Sequence, residues 1–242
     1  MTWKGICFDL DNTLFDHEKA FKKAMEYCYH TYCVKLDNSV RKVAFREFFI
    51  VFKENCDKYW KMFEQKKISG KEYRRIRFNE TMKSLCLPWG NETADNFHAL
   101  YYKIVADFGI PYPGVDDLLS NLIHRDIQLA IITNGTVDTQ YSKAVKIGAA
   151  KWIHKDNIII SEAVGAAKPK KEIFQYAENL FKLNADKLLF VGDTWLHDVA
   201  GPIEAGWQAV YLNTRGDKPE TNHKPVAEFN NFCEMKRFLL EK

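Results

Sequence analysis

Asp9 and Asp11 stand two residues apart at the end of an apolar run, KGICFD. Two carboxylates this close repel each other unless a cation or a proton joins them. A solvated turn capped by Asn12 and Thr13 is the plainer alternative. A second acidic pair lies far downstream, in Gly192-Asp193-Thr194-Trp195-Leu196-His197-Asp198, where another apolar run enters a turn. A helix cap accounts for Asp193 or Thr194, but not for both acids behind a glycine. Acidic, oxygen-rich sites suit magnesium, which takes carboxylates and keeps several waters. Two further segments offer groups for an anion. Thr133-Asn134-Gly135 closes an apolar run with a hydroxyl, an amide and a permissive glycine, donors suited to phosphate. Lys168-Pro169 precedes a helical pattern. Proline suits a first helical turn, which would set the lysine at the positive end of the helix dipole. Taken singly, these last two segments read as an ordinary turn and a solvated cation.

These residues need elements to hold them. Residues 4–9, 128–133, 157–161, 187–191 and 207–212 are short, apolar and bounded by polar or glycine-containing turns, as buried strands are. Helical patterns separate the last four, such as Ile173, Phe174, Ala177, Leu180 and Phe181 on one face. Strands alternating with helices predict an α/β fold, a doubly wound parallel sheet with helices on both sides. Each candidate segment falls at or just past the carboxyl end of a strand, the edge where open α/β sheets bind ligands. Residues 16–109 contain no convincing strand and predict four helices. Phe21, Ala24, Met25 and Cys28 mark the first face, Phe45 to Phe63 a long second helix, Ser69 with Glu72 a capping box opening the third, and Ala94 to Phe108 the fourth. The expected organisation is a core of 1–15 and 110–242 interrupted by a helical module of 16–109.

Composition bounds the possibilities. With 46% hydrophobic and 28% charged residues over 242 positions, the chain is an ordinary globular one. A net charge of +3 is too small to argue for a nucleic acid polymer or a membrane as partner. The module is net +5, with 18 Lys and Arg against 13 Asp and Glu, while the rest of the chain is net −2. Six cysteines form no C-x-x-C and seven histidines no H-x-H, so a dedicated zinc site is not expected. No apolar run approaches the about 20 residues of a membrane span, and Asp9 and Asp11 interrupt any signal-peptide core. A soluble, cytoplasmic protein with reduced thiols is expected.

The four segments gain meaning from their order. D-x-D-x-T, T-N-G, K-P and G-D-T-x-x-x-D follow one another as the four motifs of the haloacid dehalogenase superfamily do, and the chain resembles that superfamily over essentially its whole length. The helical module resembles the superfamily's type 1 cap, a Rossmann-like core being interrupted after its first strand. Ile160 to Gly165 and Lys168 to Phe174 look closest to the nucleoside 5′-monophosphatase-like branch, whose activity is on pyrimidine nucleotides.

The resemblance implies roles residue by residue. Asp9 would be the nucleophile, forming an aspartyl-phosphate that water hydrolyses. Asp11 would protonate the leaving oxygen and then help activate the water. Magnesium would be held by Asp9, the Asp11 carbonyl and Asp193, with Asp198 orienting its waters. Thr133, the Asn134 amide and Lys168 would hold the phosphoryl oxygens. A halide leaves without a proton, so an acid beside the nucleophile favours phosphate esters over haloacids, with a small phosphorylated metabolite as substrate. The mutase branch shares these motifs and would need a second phosphate site, for which Arg74, Arg75 and Arg77 are candidates. Receiver-type signalling modules combine similar residues but carry no large insert after the first strand. His17, beyond the first motif, could touch a ligand, with a solvated hinge residue as the plainer reading.

Overall fold

The structure, a computed structural model, describes residues 3–33, 35, 36, 39–65 and 67–241. In chain order the main elements are β1 (Gly5–Phe8), α1 (His17–Cys33), α2 (Phe45–Glu64), α3 (Gly70–Ser84), α4 (Asn91–Ile104), α5 (Val115–His124), β2 (Gln128–Thr133), α6 (Val137–Lys146), β3 (Ile158–Ile160), α7 (Ser161–Val164), α8 (Lys171–Phe181), β4 (Leu188–Gly192), α9 (Gly201–Glu204), β5 (Gln208–Leu212), β6 (Ala227–Phe229) and α10 (Phe232–Glu241). A π-helical turn, Trp195–Ala200, joins β4 to α9. The chain divides into two compact units, Met1–Glu18 with Gly109–Lys242, and Lys19–Phe108.

The first unit is built on a six-stranded sheet in the order β3-β2-β1-β4-β5-β6, and every pairing is parallel. The chain winds outward from β1 through β2 and β3, then returns to the other side of β1 for β4, β5 and β6. That reversal puts the topological switch point between β1 and β4, where open α/β sheets leave a crevice at their carboxyl edge. β1 and β4 are wholly buried, as central strands covered on both faces must be. One layer of the core packs Ile173, Phe174, Ala177 and Phe181 of α8 against Ala130, Ile132, Leu188 and Phe190 of the sheet. The five strands expected from the sequence are present. β6 escapes such a reading because it is three residues long with the exposed Glu228 at its centre.

The second unit is helical. Its core gathers Ala24, Met25, Cys28 and Tyr29 of α1, Phe48, Phe52 and Cys56 of α2, Phe78 and Met82 of α3, and Phe97 and Tyr101 of α4. Aromatic rings carry much of that packing, with Tyr29 stacked on Phe48 at 4.3 Å between centroids. α3 opens with the expected capping box, Ser69 and Glu72 each satisfying the other's backbone N–H. Inside this core lies His98, its Nε2 3.1 Å from the Arg74 carbonyl oxygen. Burial, reinforced by the nearby Arg77 charge, holds the imidazole pKa well below its ordinary value. Below about pH 6.5 the unfolded chain therefore binds a proton that the folded chain refuses, so stability is full above that pH and falls as pH drops. The loss approaches about 1.4 kcal/mol per pH unit for one such group. Urea unfolding at pH 7.5 and pH 5 should show a smaller acid loss for His98→Gln than for the unaltered chain; equal losses would assign the acid sensitivity elsewhere.

Among the described residues no helix is long and apolar enough to cross a membrane.

Candidate active site

The carboxyl ends of β1 and β4 deliver the acids to the switch point. The Asp9 amide still bonds the Val191 carbonyl at 2.8 Å, so the sheet fixes its backbone one residue beyond β1. Its carboxylate accepts hydrogen bonds from Lys168 Nζ at 2.7 Å and Thr13 Oγ1 at 3.2 Å. The same Lys168 ammonium reaches Asp198 Oδ1 at 2.6 Å, bridging two acids 189 positions apart in the chain. Asp198 is anchored in turn by the Thr194 amide at 2.9 Å, which ties the π-helical turn onto itself. Gly192 makes this approach possible. A Cβ there would stand 2.4 Å from Asp198 Cγ, a separation no side chain tolerates.

Asp9, Asp193 and Asp198 are all buried, and each offers an oxygen within 4.8 Å of the others'. Burial, with the Asp198 and Asp193 charges adding to it and Lys168 opposing, pushes Asp9 up to about 8. Burial and Asp198 likewise push Asp193 up to about 6, against the pull of Arg215. Burial works against the Lys168 charge, yet Asp198 and Asp9 hold its pKa above the ordinary lysine range. The cluster is thus short of positive charge at neutral pH. A hard divalent cation with carboxylate ligands fits these oxygens.

Asp11 belongs to a separate cluster. Lys143 Nζ of α6 lies 2.8 and 2.9 Å from its two oxygens, and Gln140 Nε2 donates to Oδ2 at 3.2 Å. His17 Nδ1 approaches Oδ1 at 3.4 Å. Burial alone would raise the Asp11 pKa, but His17, Lys143 and Gln140 bring it down to about 2. His17 is itself pressed down to about 4 by burial, so it is uncharged at neutral pH. The expectation of a solvated hinge histidine is corrected here, because the ring packs edge-on against Phe15 beside Asp11.

The phosphate-binding candidates also converge. Thr133 is buried at the end of β2. The Asn134 side chain clasps the Lys168 backbone, its Nδ2 donating to the carbonyl and its Oδ1 accepting from the amide, both at 2.9 Å. The expected placement of Lys168 at a helix start is corrected. α8 begins at Lys171 with Lys170 as its N-cap, and the cis Lys168-Pro169 bond lies before it. Ion pairing, rather than a helix dipole, holds the ammonium.

Lys143, Gln140 and Arg215 were missed by sequence reasoning. Arg215 Nη1 pairs with Asp193 Oδ2 at 2.6 Å, and Nη2 reaches the Asp193 carbonyl at 3.3 Å. The arginines considered for a second phosphate are each engaged within the helical unit. Arg75 pairs with Asp95, Arg74 bonds the Tyr102 hydroxyl, and Arg77 is buried against the Phe52 and Tyr73 rings.

Comparison with known proteins gives this geometry a context. The family model described as haloacid dehalogenase-like hydrolase matches residues 3–206. The pyrimidine 5′-nucleotidase YjjG of Escherichia coli is 28% identical, covering 99% of this chain and 99% of its own. The pyrimidine 5′-nucleotidase PynA of Streptococcus pneumoniae is 26% identical over 97% of this chain and 94% of its own. Among solved structures, the magnesium-bound HAD-hydrolase YfnB of Bacillus subtilis superposes with a TM-score of 0.82 at 24% identity, covering 98% of both chains.

Proposed function

Because this chain belongs to the haloacid dehalogenase-like hydrolase family, we propose that it is a magnesium-dependent phosphomonoesterase acting through an aspartyl-phosphate, with nucleoside 5′-monophosphates, pyrimidine ones foremost, as substrates. The observation that carries the reading is the Asp9–Lys168–Asp198 bridge beside Asp193 at the switch point. Asp9 attacks phosphorus and takes the phosphoryl group as the ester oxygen leaves. Asp11, paired with Lys143 as a carboxylate, first takes up a proton from the bound phosphate monoester or from solvent, gives it to the leaving oxygen, and then takes one from the water that cleaves the acyl phosphate. Lys168, Thr133 and the Asn134 amide neutralise the phosphoryl oxygens where charge gathers. Asp9, the Asp11 carbonyl and Asp193, with Asp198 beside them, would hold magnesium, which would polarise the phosphoryl group and offset the repulsion between two anions. The helical unit, inserted between β1 and β2, is read as the cap that selects the leaving group.

The nucleotidase names of two relatives covering nearly the full chain support the substrate class. The test is inorganic phosphate release from pyrimidine and purine monophosphates, sugar phosphates and p-nitrophenyl phosphate, with magnesium and with a chelator. Release that requires magnesium and is strongest on pyrimidine monophosphates is expected. Preference for sugar phosphates would keep the mechanism and discard the nucleotidase assignment; no release from any ester would discard both.

A further inference from the structure

Helix α6 faces the opposite way from its hydropathy. Val137, Tyr141 and Val145 recur every four residues and are exposed, whereas Gln140 and Lys143 are each only 4% exposed. The buried pair serves one group. Lys143 contacts both oxygens of Asp11, Gln140 contacts one of them, and the lysine's ammonium lies 5.9 Å from the Phe15 ring centre. The backbone before α6 makes room for them. A Cβ at Gly135 would stand 2.4 Å from Gln140 Nε2 and 2.8 Å from its Cγ, so glycine at that position leaves the glutamine its path to Asp11.

Stability does not call for such an arrangement. Taking an ammonium out of water to meet a half-buried carboxylate is costly, and apolar residues of similar volume are often as stable or more so. The two acids of the D-x-D pair are also served by different cations, Lys168 for Asp9 and Lys143 for Asp11.

We propose that Lys143, seated by Gln140, is a positioning residue of the reaction: it fixes the Asp11 side chain in one orientation, apart from the Asp9–Lys168–Asp198 cluster, from which Asp11, once it has taken up the proton that the acid step consumes, serves both proton transfers. The assignment rests on the phosphomonoesterase reading. Neither residue touches the reacting atoms; both act through Asp11.

A double-mutant cycle separates this role from a merely structural one. Lys143→Met is expected to lower kcat about 10- to 100-fold, as loss of a group that orients a reacting residue does. KM should move by less than about threefold, since binding is shared by other groups. In an Asp11→Asn background the same substitution should cost less than about threefold, because the carboxylate it orients is already gone. Esters with poor leaving groups should suffer more than p-nitrophenyl phosphate. An equal loss of kcat in both backgrounds, at unchanged melting temperature, would overturn the assignment. If Lys143→Met does not fold, Gln140→Leu, which keeps the ion pair, is read in the same cycle and by the same criterion. Absence of phosphate release from the unaltered chain with magnesium is a different result, and it would remove the phosphomonoesterase reading together with this assignment.

Discussion

The Asp9→Asn variant is expected to lose phosphate release by on the order of 10⁶-fold, the scale on which removing a covalent nucleophile acts. The amide keeps the size of the carboxylate and can still accept a hydrogen bond from Lys168 or Thr13, so the fold should survive. Its stability without metal should hold or rise. Asp9 is a buried acid whose charge is opposed by burial and by Asp198 and Asp193, and replacing it removes a negative charge from a crowded cluster. Activity and stability thus move in opposite directions, the signature of a residue kept for chemistry rather than for folding. Phosphate release and thermal unfolding in chelator, measured on one preparation, check both halves. A folded variant that still released phosphate would remove Asp9 from the nucleophile's place.

Lys168→Met is expected to act on both properties in the same direction. The ammonium is the direct link between Asp9 and Asp198, and both acids are buried with it. Methionine preserves much of the apolar stem, but loses the ammonium that sits 4.9 Å from the Phe190 ring centre and leaves the carboxylates without their shared cation. Breaking a buried ion pair from one side typically costs about 3–5 kcal/mol. In a chain of this size that corresponds to a melting temperature lower by on the order of 10 °C. Magnesium should return part of the loss, since a ligand that binds only the folded state stabilises it. A melting temperature within about 2 °C of the unaltered chain, in chelator, would show that Lys168 is not what holds the acids together.

Much of this site could be read before any coordinates, for a physical reason. Asp9, Thr133 and Asp193 lie at strand ends, and a strand announces itself by a short apolar run that stops where the polar residue begins. The sheet then brings those ends together without further information, because parallel strands share one carboxyl edge. Lys143 and Gln140 were hidden by the same kind of reasoning. On α6 an amphipathic reading assigns Val137, Tyr141 and Val145 to the core, and the structure buries the polar side instead. Partnership with Asp11, which no periodicity encodes, decides that orientation. Arg215 was hidden differently. It lies in the loop after β5, and only the tertiary fold reveals that this loop returns to Asp193. Lys168 stands out in the sequence but reads there with the wrong support, because a proline near a helix start suggests a position that the chain does not adopt. His17 reads as solvated in the sequence because a histidine following a polar motif carries no sign of the Phe15 ring and the carboxylate it meets.

The interruption of the sheet unit bears on the order in which the chain assembles. Cys7 of β1 pairs with Ala130 of β2, so the first strand made must await a partner synthesised after the entire helical unit. Left as a flexible loop, that intervening segment would make closure slow, as non-local pairing is in general. The helical unit has an extensive core of its own, and its two ends meet within it, the Phe21 ring near the start lying 5.8 Å from Tyr101 near the finish. Once it has folded, the loop that must close between β1 and β2 is shortened about fourfold, worth about 1.2 kcal/mol of closure entropy. The helices, whose contacts are largely local, are therefore expected to form first during refolding, and the parallel sheet to nucleate on the joined ends they present.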